Sequence, residues 1–201
     1  VPRYGEIWWF YPKGSATECT DAVVYNVREK TWYDAGSADG ARRSAGTFSE
    51  VFPYPMWAGY DQNKLGKYTI WQHEHGLNQV TSYNELAVYS SITTCDISWL
   101  TGTPSQNAVQ GINRRMHLRR IEPNFLQSGT MSMTVLGRKF ANGGTADEED
   151  SGPYYFDPST GKIDLRVEHR LVRLLFESNT INGNFEMGRL VITAEFGDER
   201  P

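Results

Sequence analysis

The chain has 201 residues, enough for one large or two small domains with a sizeable core, and its net charge of −4 argues against a dedicated nucleic-acid binder, which carries a strongly basic balance. Two cysteines, Cys19 and Cys95, are too few for a disulfide framework and too far apart for a metal-ligand spacing, so free buried thiols are expected. Aromatic residues make up 13% of the chain, glycine is frequent at 19, and no window sustains a 3.6-residue period, so the fold class expected is all-β.

No apolar run approaches the ~20 residues of a membrane-spanning helix, and no charged region followed by an apolar stretch marks a signal peptide. The chain begins Val1-Pro2-Arg3 and enters a strand pattern almost at once, which suggests a processed product or the C-terminal part of a longer chain. Residues 6–12 are an aromatic strand and residues 21–27 a second, separated by a long loop. Arg28-Glu29-Lys30 is a polar turn, and Thr31-Trp32-Tyr33 returns as a third strand. Strand, long loop, strand, turn, strand is the order of one β-propeller blade. Further aromatic strands are expected at residues 49–58 and 67–73, around a turn at Gly59-Tyr60-Asp61-Gln62-Asn63. A partial propeller over residues 1–85 follows, with a domain boundary near residue 85.

Beyond the boundary the strands become rich in Thr and Ser, at residues 88–92 and 96–100, followed by a loop of turn residues at 101–111. Residues 114–121 read as a strand closed by Glu122-Pro123-Asn124, and residues 131–136 alternate again. Residues 141–152 are expected to be a flexible acidic loop, built around Asp147-Glu148-Glu149-Asp150. Ile163, Leu165 and Val167 alternate with Asp164, Arg166 and Glu168, the period that gives one apolar and one charged face. The parity then reverses at His169-Arg170, since Val172, Leu174 and Phe176 carry the next apolar row, so a tight turn or bulge is expected there. Residues 179–184 are turn chemistry, and Phe185-Glu186-Met187 and residues 190–196 resume the extended pattern. Residues 86–201 are therefore expected to form an antiparallel β-sandwich-like domain.

Several separated stretches carry a resemblance: the blade at residues 6–32, Trp71-Gln72-His73-Glu74 with Gly76, Ser90-Ser91-Ile92-Thr93-Thr94, Arg119-Arg120-Ile121-Glu122-Pro123-Asn124-Phe125, Lys162-Ile163-Asp164-Leu165-Arg166, and Asn184-Phe185 with Gly188-Arg189-Leu190. Together they resemble the C-terminal portion of the tail nozzle, or packaged-DNA stabilisation, proteins of short-tailed bacteriophages. The resemblance implies a structural, non-enzymatic virion protein of the tail. Its copies would form a homo-oligomeric, hexameric ring beneath the portal and adaptor, beside other tail proteins, closing the channel through which DNA passes transiently. The family carries a full propeller ahead of these residues, and this chain does not.

No cofactor is expected. His73-Glu74-His75 is the most metal-like feature, because residues two apart on a strand share a face, but no third ligand lies close in sequence. A blade corner with one histidine bonded to backbone is the better reading, and no metal site is assigned. Glu50, Asp61, Glu74, Glu85 and Asp96 lie near aromatic residues and admit a glycan hydrolase, yet no fixed pair stands out, so no catalytic residue is assigned. Trp8, Trp9, Trp32, Trp57 and Trp71 admit sugar stacking in a carbohydrate-binding module, against the plainer reading of packing between blades. Asp147 to Asp150 lacks the spacing of a calcium loop. Arg114, Arg115, Arg119 and Arg120 form the one dense basic patch. Strand parity places Arg115, His117 and Arg119 on one face and Arg114 and Arg120 on the other, which makes them candidates for ion pairs at a subunit interface.

Overall fold

A computed structural model describes residues 1, 3–36, 42–61, 67–80, 84–98, 115–140 and 148–197. Among these, every regular element is a β-strand, and every strand pairing is antiparallel. The chain divides into two compact units, Val1–Gly76 and Leu77–Pro201, so the division falls ahead of the boundary near residue 85.

The first unit holds two three-stranded meanders. One runs β1 (Glu6–Tyr11), β2 (Asp21–Asn26) and β3 (Thr31–Gly36), and the other β4 (Ala45–Thr47), β5 (Met56–Asp61) and β6 (Lys67–Gln72). The β2–β3 turn is set by Asn26, whose Oδ1 accepts the backbone N–H groups of Arg28 and Glu29, both at 3.0 Å, while Lys30 takes a left-handed φ of 55°. Two expectations fail in the second meander. The strand expected over residues 49–58 is irregular as far as Pro55, and only residues 56–58 of it begin β5, because Pro53 and Pro55 cannot donate to a ladder. Gly59-Tyr60-Asp61, read as a turn, continues β5. A Cβ on Gly59 would lie 1.7 Å from the carbonyl oxygen of Arg42, so the glycine serves a close backbone approach within a strand.

The second unit begins with a hairpin, β7 (Asn78–Val80) and β8 (Glu85–Ala87), and continues through β9 (Ser90–Thr93), β10 (Met116–Glu122), β11 (Phe125–Ser128), β12 (Met131–Arg138), β13 (Glu148–Phe156), β14 (Ile163–His169), β15 (Leu171–Ser178), β16 (Asn184–Met187) and β17 (Val191–Phe196). One sheet has the order β14-β10-β17, a second β13-β12-β15-β9, and β11 pairs with β16. The inward rows of the two larger sheets share one hydrophobic cluster: Met116, Leu118, Ile121, Ile163, Leu165 and Val167 from the first, with Met131, Met133, Val135, Phe156, Val172, Leu174 and Phe176 from the second. Each such side chain contributes roughly 1.5–3 kcal/mol on burial, which makes this cluster the main source of the unit's stability.

The parity reversal at His169-Arg170 has a different cause from the expected turn or bulge. β14 and β15 do not pair. The chain leaves one sheet at His169 and enters the other at Leu171, and each strand turns its apolar row toward the shared core. Arg170 makes the crossing, its N–H bonded to the carbonyl of Arg138 at 3.0 Å. His169 closes the layer, since its ring covers Gly137 so closely that a Cβ there would lie 2.0 Å from the imidazole. The acidic loop is also corrected: Glu148, Glu149 and Asp150 begin β13, paired to Arg138, Gly137 and Leu136 of β12. Asp96 to Leu100 was expected as a strand, but only Ile97 pairs, in an isolated bridge to Val172, and residues 99–100 lie outside the described residues. So do residue 114, the loop at 101–111 and residues 141–147. The thiols differ from expectation too, with Cys19 half-buried and Cys95 exposed.

Candidate interface and aromatic cleft

The arginine patch lies on β10, the central strand of β14-β10-β17. Met116 and Leu118 point inward, but the next inward residue is Ile121, because the register against both neighbours shifts between Leu118 and Arg120. That irregularity turns Arg120 outward beside Arg119, where regular alternation would have buried it. The expected split of the patch over two faces is thereby corrected for the described arginines. On the outward face each finds an acid from an adjacent strand. Arg119 donates to Oε2 of Glu195 through Nε and Nη2, at 3.0 and 2.8 Å, and Arg120 Nε donates to Asp164 Oδ1 at 2.8 Å. Lys162 adds a contact to Asp164 at 3.3 Å. Arg120 first, and Lys162 after it, hold the Asp164 carboxyl below its ordinary range. Arg115 and His117 both reach Glu168 Oε1, at 3.7 Å. The face is therefore a ladder of alternating charge, and Arg114 lies outside the described residues.

A second charged cluster escaped the sequence. Arg138 meets Asp96 and Glu148, and Arg173 meets the same two acids, so two cations alternate with two anions across β12, β13, β15 and the segment after β9. No spacing rule joins residues 96, 138, 148 and 173; strand pairing brings them together.

In the first unit, Trp8 and Phe10 of β1 meet Trp57 of β5 at ring distances of 5.3 and 5.0 Å. Beside them opens a cleft of about 640 Å³, lined by Val1, residues 6–10 of β1, residues 43–48 on and around β4, Cys19 and Trp57. Glu6 is fixed at its edge, accepting from Trp8 Nε1 at 3.0 Å and from the Tyr33 hydroxyl at 2.7 Å. Burial and this carboxylate hold the Tyr33 hydroxyl well above its ordinary range. Arg43 is almost fully buried; its Nε donates to His73 Nε2 at 2.8 Å and its guanidinium lies 5.1 Å from the centre of the Trp71 ring. Nothing in the pattern of Arg42-Arg43 distinguished this cation.

His73-Glu74-His75 is no strand. β6 ends at Gln72, Glu74 takes a φ of 58°, and the two imidazoles part: His73 accepts from Arg43, while His75 sits edge-on to Tyr54 at 5.0 Å. The partner of the His73 ring is thus a buried guanidinium and not backbone, while the backbone N–H of His73 bonds the carbonyl of Pro55 at 2.8 Å. Burial, and then Arg43, push the His73 pKa down to about 3. Among the described residues no group of three or more His, Cys, Asp or Glu is placed to hold a metal ion. The carboxylates considered for hydrolysis are dispersed: Asp61 accepts from Thr69 at 3.1 Å, Glu85 from Asn78, and Asp96 joins Arg138. Glu74 is held above the ordinary carboxyl range, by burial first and then by Glu6. Glu50 is exposed in the segment between β4 and β5.

No protein-family model matches this chain, and no curated protein matches it either.

Proposed function

We propose that the chain is a structural, non-catalytic protein of the virion tail of a short-tailed bacteriophage, a nozzle component. Its copies form a ring that lines and closes the channel through which the genome leaves. In this reading the first unit is a set of partial propeller blades and the second an antiparallel sandwich. The observation that carries it is the outer face of β1-β2-β3. A sheet with one wet face shows polar residues there. Here Ile7, Trp9 and Tyr11 are 45%, 43% and 38% exposed and Trp32 is 62% exposed, although Trp8 and Phe10 already give β1 an apolar inner row. Trp9 and Trp32 stack at 5.4 Å, and Tyr25 joins Trp32 at 4.7 Å. A sheet apolar on both sides is built to be covered on both sides, as blades are by their neighbours, and a ring of copies supplies the cover.

The net charge of −4 suits a wall that DNA slides past without binding. Portal, adaptor and other tail proteins are the expected neighbours, with Arg114, Arg115, Arg119 and Arg120 as interface candidates. The test is the particle mass of the isolated protein by light scattering, with negative-stain imaging of virions. A ring of about six copies is expected. A strictly monomeric protein that is absent from virions overturns the reading.

The exposed Trp9–Trp32 stack also favours a second reading, a carbohydrate-binding module or a tail-associated glycan hydrolase, since flat aromatic faces accept sugar rings. Binding on a glycan array without ring formation, or release of reducing sugar, would select it.

A further inference from the structure

The cleft of the first unit is bounded by consecutive residues of two strands, 6–10 on one side and 43–48 on the other. A groove over the face of a sheet would be lined by every second residue. Lining by both parities means that it opens on the strand edges. β1 and β4 are the terminal strands of their sheets and do not pair with each other. The ladder of β1 fixes which groups are free: Val27 N–H bonds the carbonyl of Gly5 at 2.8 Å, and Ile7 and Trp9 follow in phase opposite Tyr25 and Val23. Alternation in an antiparallel pair then turns the backbone N–H and C=O of Trp8 and Phe10 away from β2, toward the cleft. Glu6 is covered, its N–H bonded to the carbonyl of Val1 at 3.2 Å and its carbonyl accepting from the Val1 amine, whereas Ile7 to Tyr11 carries no charge or proline to protect the edge.

We propose that this cleft is a strand-accepting groove, in which an extended, uncharged segment of a partner protein pairs through its backbone with the free edge of β1. Charge decides the chemistry of the occupant. Glu6, Arg43 and the Val1 amine, itself bonded to the carbonyl of Glu6, are the charged groups that line the cleft. The two oxygens of Glu6 are taken by Trp8 and Tyr33, and Arg43 is committed to His73. A charged residue entering there would be desolvated without a counter-ion, so the inserted stretch is uncharged. Trp8 and Phe10 meet Trp57, and these rings select apolar side chains at alternate positions of the guest. A guest lying along Ile7 to Tyr11, beyond the residue that Val1 covers, is about 16 Å long at ~3.3 Å per residue. The inference stands apart from the tail reading, because a monomer could accept such a strand and a ring could form without one.

The test uses the full chain and a panel of acetylated hexapeptide amides in which Thr alternates with Val, Ile, Phe, Tyr or Trp, read by amide chemical shifts of Trp8 and Phe10. Saturable binding of at least one peptide below about 1 mM is expected. N-methylation of that peptide on one alternate set of residues should weaken binding about tenfold or more, because the donors facing β1 are lost, while methylation on the other set leaves it within about twofold. Equal effects of the two methylated sets overturn the proposal, as does failure of every peptide to bind. Saturation of the same amides by cellohexaose, with no response to peptide, would make the cleft a sugar site instead.

Discussion

His73 shows how a residue chosen for one chemistry serves another. Its ring nitrogen accepts from Arg43, so a proton would place two cations 2.8 Å apart in a buried site. The folded pKa of about 3 lies below the unfolded value near 6.5, so the unfolded chain binds more protons between them. The stability it contributes is full above pH 6.5 and is lost as pH falls toward 3, by up to about 1.4 kcal/mol per pH unit. Urea unfolding of the first unit at pH 6.5 and pH 5 should therefore differ by about 1–2 kcal/mol. The His73→Gln variant should show a flatter dependence; an unchanged slope would remove His73 as the cause. His169 follows the same sign, burial lowering its pKa, but its packing is the sharper test. Gly137→Ala drives a methyl into the imidazole and should lower the unfolding free energy by about 2–3 kcal/mol in denaturant titration. Adding His169→Ala removes the ring it strikes, so the double variant should be more stable than the sum of the two single losses predicts. Additive losses would mean the two residues do not meet.

At the scale of elements, β10 carries a lesson about alternation. The residues from Met116 to Leu118 follow the period of two, and a reader extending it assigns Arg120 to the core face. The register shift places Ile121 there instead. Arg119 and Arg120 then share the outer face with Glu195 and Asp164. These pairs are exposed, so Arg119→Glu should destabilise by less than about 1 kcal/mol. Adding Glu195→Arg should return the urea midpoint to the parent value. If β10 instead touches a neighbouring copy, the single substitution lowers the assembly mass at an unchanged midpoint. β14 and β15 teach the complementary point. Their apolar rows were legible residue by residue, and their reversed parity was seen, but two strands joined by Arg170 lie in different sheets. A sequence pattern records that both rows are buried and not which partner strand each row accompanies.

For the whole molecule, the contrast between the two units decides what each does. The second unit buries its apolar rows in one cluster, and Phe176→Ala should cost about 3–5 kcal/mol in equilibrium unfolding. The first unit leaves the Trp9–Trp32 face open, so replacing both with Glu should abolish ring formation while leaving the far-ultraviolet spectrum of the chain unchanged. Retention of the ring by that double variant would show that assembly uses another surface.

The all-β class, the inward rows of β12, β14 and β15, and the turn between β2 and β3 were legible in the order of residues, because each follows from side-chain period or local hydrogen bonding within a few residues. The rest depends on which strands pair and pack. Asp96, Arg138, Glu148 and Arg173 meet because β12 pairs on both sides; Arg43 reaches His73 across 30 positions; Gly59 serves a strand because Arg42 presses on it. Those contacts join residues distant in the chain, and no local period encodes a partner whose position depends on how the sheets pair.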